Sequence, residues 1–213
     1  MELGDVANIR YSRRNTKPIP RPAEYLRTVH MDIGYGDCIS IGGFRYVLLL
    51  VDRSTRFQWV YGLKSMTQEN IIGALERFHA DAGGLPQKIY TDFDPKLIAG
   101  DTEQWLLTKI PNAPCRVHAA PSGRQNENGL VERAWQTTVG MARAYITDMQ
   151  MPRAYWYWAI RHANQVANYI PCKVNGELTT SFELVHGVKP DYRILFHLFS
   201  TVYWRIECDG ARE

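Results

Sequence analysis

Between Tyr46 and Val51 the chain runs through six apolar residues without a break. A membrane span needs about 18, so this segment is not one. It lies between a Gly42-Gly43 turn and an Arg53-Ser54-Thr55 turn and is rich in Val and Leu. Residues 44–52 therefore suit a strand buried in the middle of a sheet. Just upstream, Val29, Met31 and Ile33 alternate with Thr28, His30 and Asp32. That period of two predicts a strand over 28–34, with Asp32 opposite the more apolar face. Residues 57–63 read as a third strand. Three strands joined by short turns predict an antiparallel meander.

The pattern then changes. Thr67 can cap a helix over 68–82, with Ile71, Leu75 and Phe78 on one side and Gly83-Gly84 and Pro86 ending it. A short strand is predicted over 88–93, a helix near 102–108 and a strand over 115–120. The stretch 121–129 is a loop by its Pro, Ser, Gly and Asn content. From Gly129 onward the chain reads as helical, with Leu130, Ala134, Thr138, Met141, Tyr145 and Met149 forming a stripe. Pro152 is placed in the first turn of a second helix that runs to about Tyr169. The order of elements predicts an α/β layer architecture with a mixed sheet flanked by helices.

Residues 1–24 are polar, basic and interrupted by Pro18, Pro20 and Pro22, and are expected to be an arm or linker. Residues 25–200 are the expected core, and 201–213 a tail. Net charge is only +3, from 25 basic and 22 acidic residues, so charge alone does not announce a nucleic-acid binder. The basic residues are uneven, however: Arg10, Arg13, Arg14, Lys17, Arg21 and Arg27 stand against a single acid, Glu24. The cysteines at 38, 115, 172 and 208 have no metal-ligand spacing and are expected to be free thiols. The N-terminal residues lack the apolar core of a secretory signal. No GxSxG elbow is present, which argues against a serine nucleophile.

Three acids stand out by position. Asp32 lies on the first strand, and Asp92 at the carboxyl end of the fourth, where open α/β sheets gather their ligands. Glu132 lies in the first turn of the long helix. Carboxylates from two strands and a helix end suit hard cations such as Mg2+ or Mn2+. Asp37, Asp52 and Asp94 lie near these blocks but read as turn or loop acids. His30 and His118 flank them and read as packed or hydrogen-bonded strand histidines, with orientation of a carboxylate or a phosphate as the alternative. The aromatic stretch 155–158 reads as core and dimer surface.

The blocks HMDIGYGD, IYTDFD and PSGRQNENGLVERAWQT, with the later ELVHGVKPD, resemble the signature blocks of the retroviral-type integrase catalytic core of the DDE superfamily. Asn128-Gly129 followed by Glu132-Arg133 makes the likeness greatest to the Ty1/copia class of LTR retrotransposons. The chain departs from that pattern at Thr180-Ser181 and Phe199-Ser200, neither of which touches the acids.

The resemblance implies a ribonuclease H-like fold, a mixed five-stranded sheet made of the meander plus two further strands. It implies that Asp32, Asp92 and Glu132 form a catalytic triad holding two Mg2+ or Mn2+ ions. It implies metal-dependent 3′-end processing and strand transfer of element DNA into target DNA, and a homodimer or higher oligomer; a DNA substrate of that kind leads to an expected residence in the nucleus, with a cytoplasmic particle stage as the alternative. Gln125, Asn126, Asn128, Arg133, Gln136 and Arg143 are the expected DNA contacts. The chain reads as a core fragment of a polyprotein or a domesticated relative. The alternatives are a DDE transposase and a non-catalytic DNA-binding or tethering protein.

Overall fold

A computed structural model of the chain describes residues 25–91, 98–110, 114–119, 125–174, 177–195 and 198. Its strands are β1 (Thr28–Tyr35), β2 (Tyr46–Asp52), β3 (Gln58–Leu63), β4 (Lys88–Thr91), β5 (Arg116–Ala119), β6 (Pro171–Val174) and β7 (Glu177–Thr180). Its helices are α1 (Gln68–Ala82), α2 (Asp101–Thr108), α3 (Gln125–Asp148), α4 (Trp156–Tyr169) and α5 (Ser181–His186). The first five strands form one sheet in the order β3-β2-β1-β4-β5. β1, β2 and β3 make the expected antiparallel meander, and β4 and β5 add to β1 in parallel.

The unbroken apolar run of β2 follows from its place between two cores. Leu48 and Leu50 pack with Ile71, Leu75 and Phe78 of α1 on one side. Val47, Leu49 and Val51 pack with Ala134 of α3 and with Tyr157 and Ile160 of α4 on the other. β1 divides in the same way: Val29 and Met31 join the α1 core. The ends of α1 follow the sequence signals. The Thr67 hydroxyl accepts from Asn70 N at 3.4 Å, and Gly83 closes the helix in the left-handed region at φ 75°.

The β2–β3 turn is organised by Asp52, which is fully buried. Its carboxylate accepts from Leu26 N, Ser54 N, Ser54 Oγ, Thr55 N and Thr55 Oγ1 at 2.8–3.2 Å. Nearby, the Tyr25 hydroxyl donates to Ala82 O at 3.0 Å. Burial, and then the Asp52 carboxylate, push the Tyr25 phenol up to about 12. The folded value is raised, so this stability is complete below about pH 10 and is lost as pH climbs toward 12. Solvent screening of a half-exposed ring brings it to about 1 kcal/mol. Denaturant titrations of wild type and Tyr25→Phe should show the gap between them shrinking by about that amount across this range.

Three sequence expectations need correction. The long helix begins at Gln125, four residues before Gly129. The Asn and Gly content that mimics a loop is carried inside the helix, where a glycine costs only about 1 kcal/mol against Ala. Pro152 precedes a 3-10 turn at Arg153–Tyr155, and α4 starts only at Trp156. Beyond Tyr169 the chain is not simply helical, because β6 and β7 pair as an antiparallel hairpin before α5. Asn175-Gly176 between them is the hairpin signal in the sequence. The proposed arm at 1–24 and tail at 201–213 lie outside the described residues.

Candidate active site

β1 delivers Asp32 to the face of the sheet that carries α3 and α4. Asp32 pairs with Leu49 across the antiparallel ladder, and Leu49 belongs to the α3–α4 core. The side chain is half-buried, and Ile33 N–H donates to its Oδ1 at 2.7 Å. On the other side of β1 the parallel ladder with β4 is described as far as Met31 beside Thr91. Each of those residues is followed in the sequence by one of the expected acids, Asp32 or Asp92. Asp92 itself, like Asp94, lies outside the described residues.

α3 crosses β1 and β2 on this face. Trp135 rests on Gly34, two residues after Asp32, so closely that a Cβ at Gly34 would lie 2.8 Å from Trp135 Cη2. Trp135 Nε1 is buried with no hydrogen-bond partner among the described residues, a loss of about 1–3 kcal/mol that packing must offset. Glu132 lies in α3 three residues before Trp135 and is exposed.

Between the end of β1, α3 and the start of α4 runs a cleft of about 1040 Å3. Asp32, Gln136 and Arg143 all line it, so the structure brings three of the expected site residues together. Glu132 is one helical turn from Gln136, on the same side of α3. Arg133 does not line the cleft; its Nε donates back to Gly129 O at 2.9 Å. Gln125, Asn126 and Asn128, expected on a loop, occupy the first turns of α3. Among the described residues no three His, Cys, Asp or Glu side chains cluster as metal ligands.

The far end of the cleft was not foreseen. Tyr35, Asp37, Arg153 and Trp156 line it. Arg153 Nη1 meets Asp37 Oδ2 at 3.2 Å, an exposed pair that contributes little to stability. Trp156 Nε1 donates to Cys38 O at 2.9 Å, and Ile41 N donates to Ala154 O at 2.9 Å. The loop between β1 and β2 is thus tied to the start of α4. The sequence did carry one signal: the glycines at 34 and 36 mark close approach on a strand.

His30 is buried and stacks on Tyr90 at 5.6 Å, and Tyr90 stacks on His118 at 5.3 Å. Burial, then Arg53 and Arg56, pull the His30 imidazole down to about 4, which leaves it neutral near pH 7. Both histidines are packed strand residues. Trp158 is 37% exposed, whereas Tyr157 is buried in the core.

Residues 23–109 match the family described as the integrase core domain. Over that stretch the chain is similar to integrase cores. It is 26% identical over 181 residues to the retrovirus-related Pol polyprotein from transposon RE2 of Arabidopsis thaliana, covering 82% of this chain and 12% of that protein. It is 24% identical to the Pol polyprotein from transposon TNT 1-94 of Nicotiana tabacum, covering 71% of this chain and 11% of that one. These relatives include copia-type elements. The chain therefore spans about an eighth of the length of the polyproteins it matches.

Among solved structures it resembles the HTLV-2 integrase catalytic core domain in complex with magnesium, with a TM-score of 0.56 and 20% identity, covering 75% of this chain and 96% of that one. It also resembles the simian T-cell lymphotropic virus intasome solved with PP2A regulatory subunit B56 gamma. That TM-score is 0.62 at 18% identity, over 91% of this chain and 63% of that one. The fold is that of integrase catalytic cores, the ribonuclease H-like fold.

Proposed function

We propose that the chain is a retrotransposon integrase core, a polynucleotidyl transferase and endonuclease in which Asp32, Asp92 and Glu132 hold two divalent ions. The observation that carries this reading is the cleft: Asp32 shares it with Gln136 and Arg143, beneath the helix that bears Glu132. The three acids offer only oxygen donors, which suit Mg2+ or Mn2+. The half-buried Asp32 at the cleft fits that donor set.

When bound, such ions stabilise the charge that builds on the attacking and leaving oxygens of a phosphodiester. The protein's own residues do the rest. Asp32, Asp92 and Glu132 would present their carboxylate oxygens to those ions. Gln136 and Arg143 bind DNA along the cleft. Gln125, Asn126, Asn128 and Arg133 extend that contact at the start of α3. In end processing, a water oxygen attacks phosphorus and the 3′-oxygen leaves. In strand transfer, the freed 3′-hydroxyl attacks a phosphodiester of target DNA and the target strand's own 3′-oxygen leaves. Both are in-line displacements at phosphorus, so one site serves both. The partners are element-end and target DNA, in a homodimer or larger assembly, and that substrate places the reaction in the nucleus.

The test is a branched DNA that mimics the strand-transfer product, incubated with the full chain and Mn2+. The reading predicts resolution into the two parent duplexes. No product under any metal condition would overturn it and favour a non-catalytic DNA-binding role. Arg143→Ala should weaken DNA binding and reduce the slope of log affinity against log salt by about one phosphate contact. Binding measured from low to high salt checks this, and an unchanged slope removes Arg143 from the interface.

A further inference from the structure

We propose that Trp135, seated on Gly34, is a positioning residue that sets how far Glu132 stands from Asp32. This rests on the reading of those two acids as metal ligands.

β1 presents alternate residues to α3, so Asp32 and Gly34 share a face. An ideal Cβ at Gly34 would lie 2.8, 3.0 and 3.3 Å from Cη2, Cζ2 and Cζ3 of Trp135, the outer edge of the indole. Any side chain at 34 would lift α3 from the sheet. Trp135 follows Glu132 by three residues, nearly one helical turn, so lifting the ring carries the Glu132 turn with it. The seat is steric: Trp135 Nε1 is buried with no hydrogen bond among the described residues that would hold the ring there. A second seat lies two residues on. A Cβ at Gly36 would meet Trp156 Cε2 at 2.4 Å, and Trp156 Nε1 is bound to Cys38 O. Two flat indoles therefore rest on the two alternate glycines that follow Asp32, one from each covering helix.

The test adds a methyl to the seat and then takes away the ring edge it strikes. Mn2+ is titrated into the full chain, wild type and variants, and the midpoint of thermal stabilisation is recorded together with the rate of branched-DNA resolution. Gly34→Ala should raise the Mn2+ midpoint about 10- to 100-fold, the range seen when a residue supporting metal ligands is lost. The rate should fall about 100-fold, as for a misplacement near 1 Å. Gly34→Ala combined with Trp135→Phe should return most of both, because phenylalanine lacks the clashing edge.

Gly62→Ala is the control. Its Cβ would lie 2.5 Å from Phe44 Cδ1, on the same side of the sheet but on β3, away from Asp32. It should cost stability and leave the Mn2+ midpoint in place. Should Gly34→Ala fail to fold, Trp135→Phe alone carries the test, since the empty seat lets α3 settle and moves the midpoint.

An unmoved midpoint in Gly34→Ala, no recovery in the double variant, or an equal shift in Gly62→Ala overturns the positioning role alone. A wild-type chain that gains nothing from Mn2+ overturns the metal-site reading and this inference with it.

Discussion

Changing Asp32 to Asn, Asp92 to Asn or Glu132 to Gln is expected to lower metal-dependent DNA resolution about 1000-fold or more each, with folding retained. An amide keeps the size of the carboxyl group but loses the charge that a hard cation needs. Residues that act as one unit are not additive, so a double variant should be little worse than a single one. Asp37→Asn is the matched comparison. Its carboxylate also lines the cleft, but it pairs with Arg153 at 3.2 Å. Rates from single-turnover assays, with circular dichroism to verify folding, check the set. A comparable loss in Asp37→Asn, or a single triad variant with near-normal rate, would contradict the assignment of the three acids.

The largest expected effect on stability lies at Asp52. Asp52→Ala removes a fully buried carboxylate that accepts five hydrogen bonds from Leu26, Ser54 and Thr55, and leaves those part-buried or buried donors without it. The cost is about 4 kcal/mol, toward the upper end for one substitution. For a chain of this size that lowers Tm by about 10 °C. Asp52→Asn should be much milder. Oδ1 accepts only from Leu26 N and Oδ2 accepts the other four, so an amide with its oxygen at the Oδ2 position retains four of the five. Denaturant unfolding of the two variants checks the ranking. Equal losses would show that the charge, and not the acceptor geometry, holds this turn.

The meander, the α1 caps and the buried β2 run were legible because each has a local signal. Thr67 and Gly83 mark helix ends through their own backbone chemistry. Tyr46 to Val51 alternates between two cores, and a sequence that must satisfy both faces has no polar positions. The start of α3 was misread because Asn126, Asn128 and Gly129 share their composition with loops, while the hydrogen bonding of a long helix overrides weak propensities. Of the site, Asp32 and the side of α3 bearing Gln136 and Arg143 could be read from strand and helix periodicity. The far end of the cleft could not. It depends on Arg153 reaching Asp37 and Trp156 reaching Cys38, contacts between segments more than 100 residues apart. Only the alternate glycines at 34 and 36 hinted that something bulky would rest there.

The most direct test of the central claim is whether the three acids bind metal at all. Thermal unfolding of the full chain is followed as Mn2+ is raised, beside a variant carrying Asp32→Asn and Glu132→Gln together. A ligand that binds only the folded chain stabilises it by RT ln(1 + [L]/Kd), so wild-type Tm should climb steadily with Mn2+. The variant, with acid repulsion relieved, should start at or above the wild-type Tm and stay flat. A wild-type curve as flat as the variant's, or a variant that climbs as steeply as wild type, would contradict a metal site built on Asp32, Asp92 and Glu132.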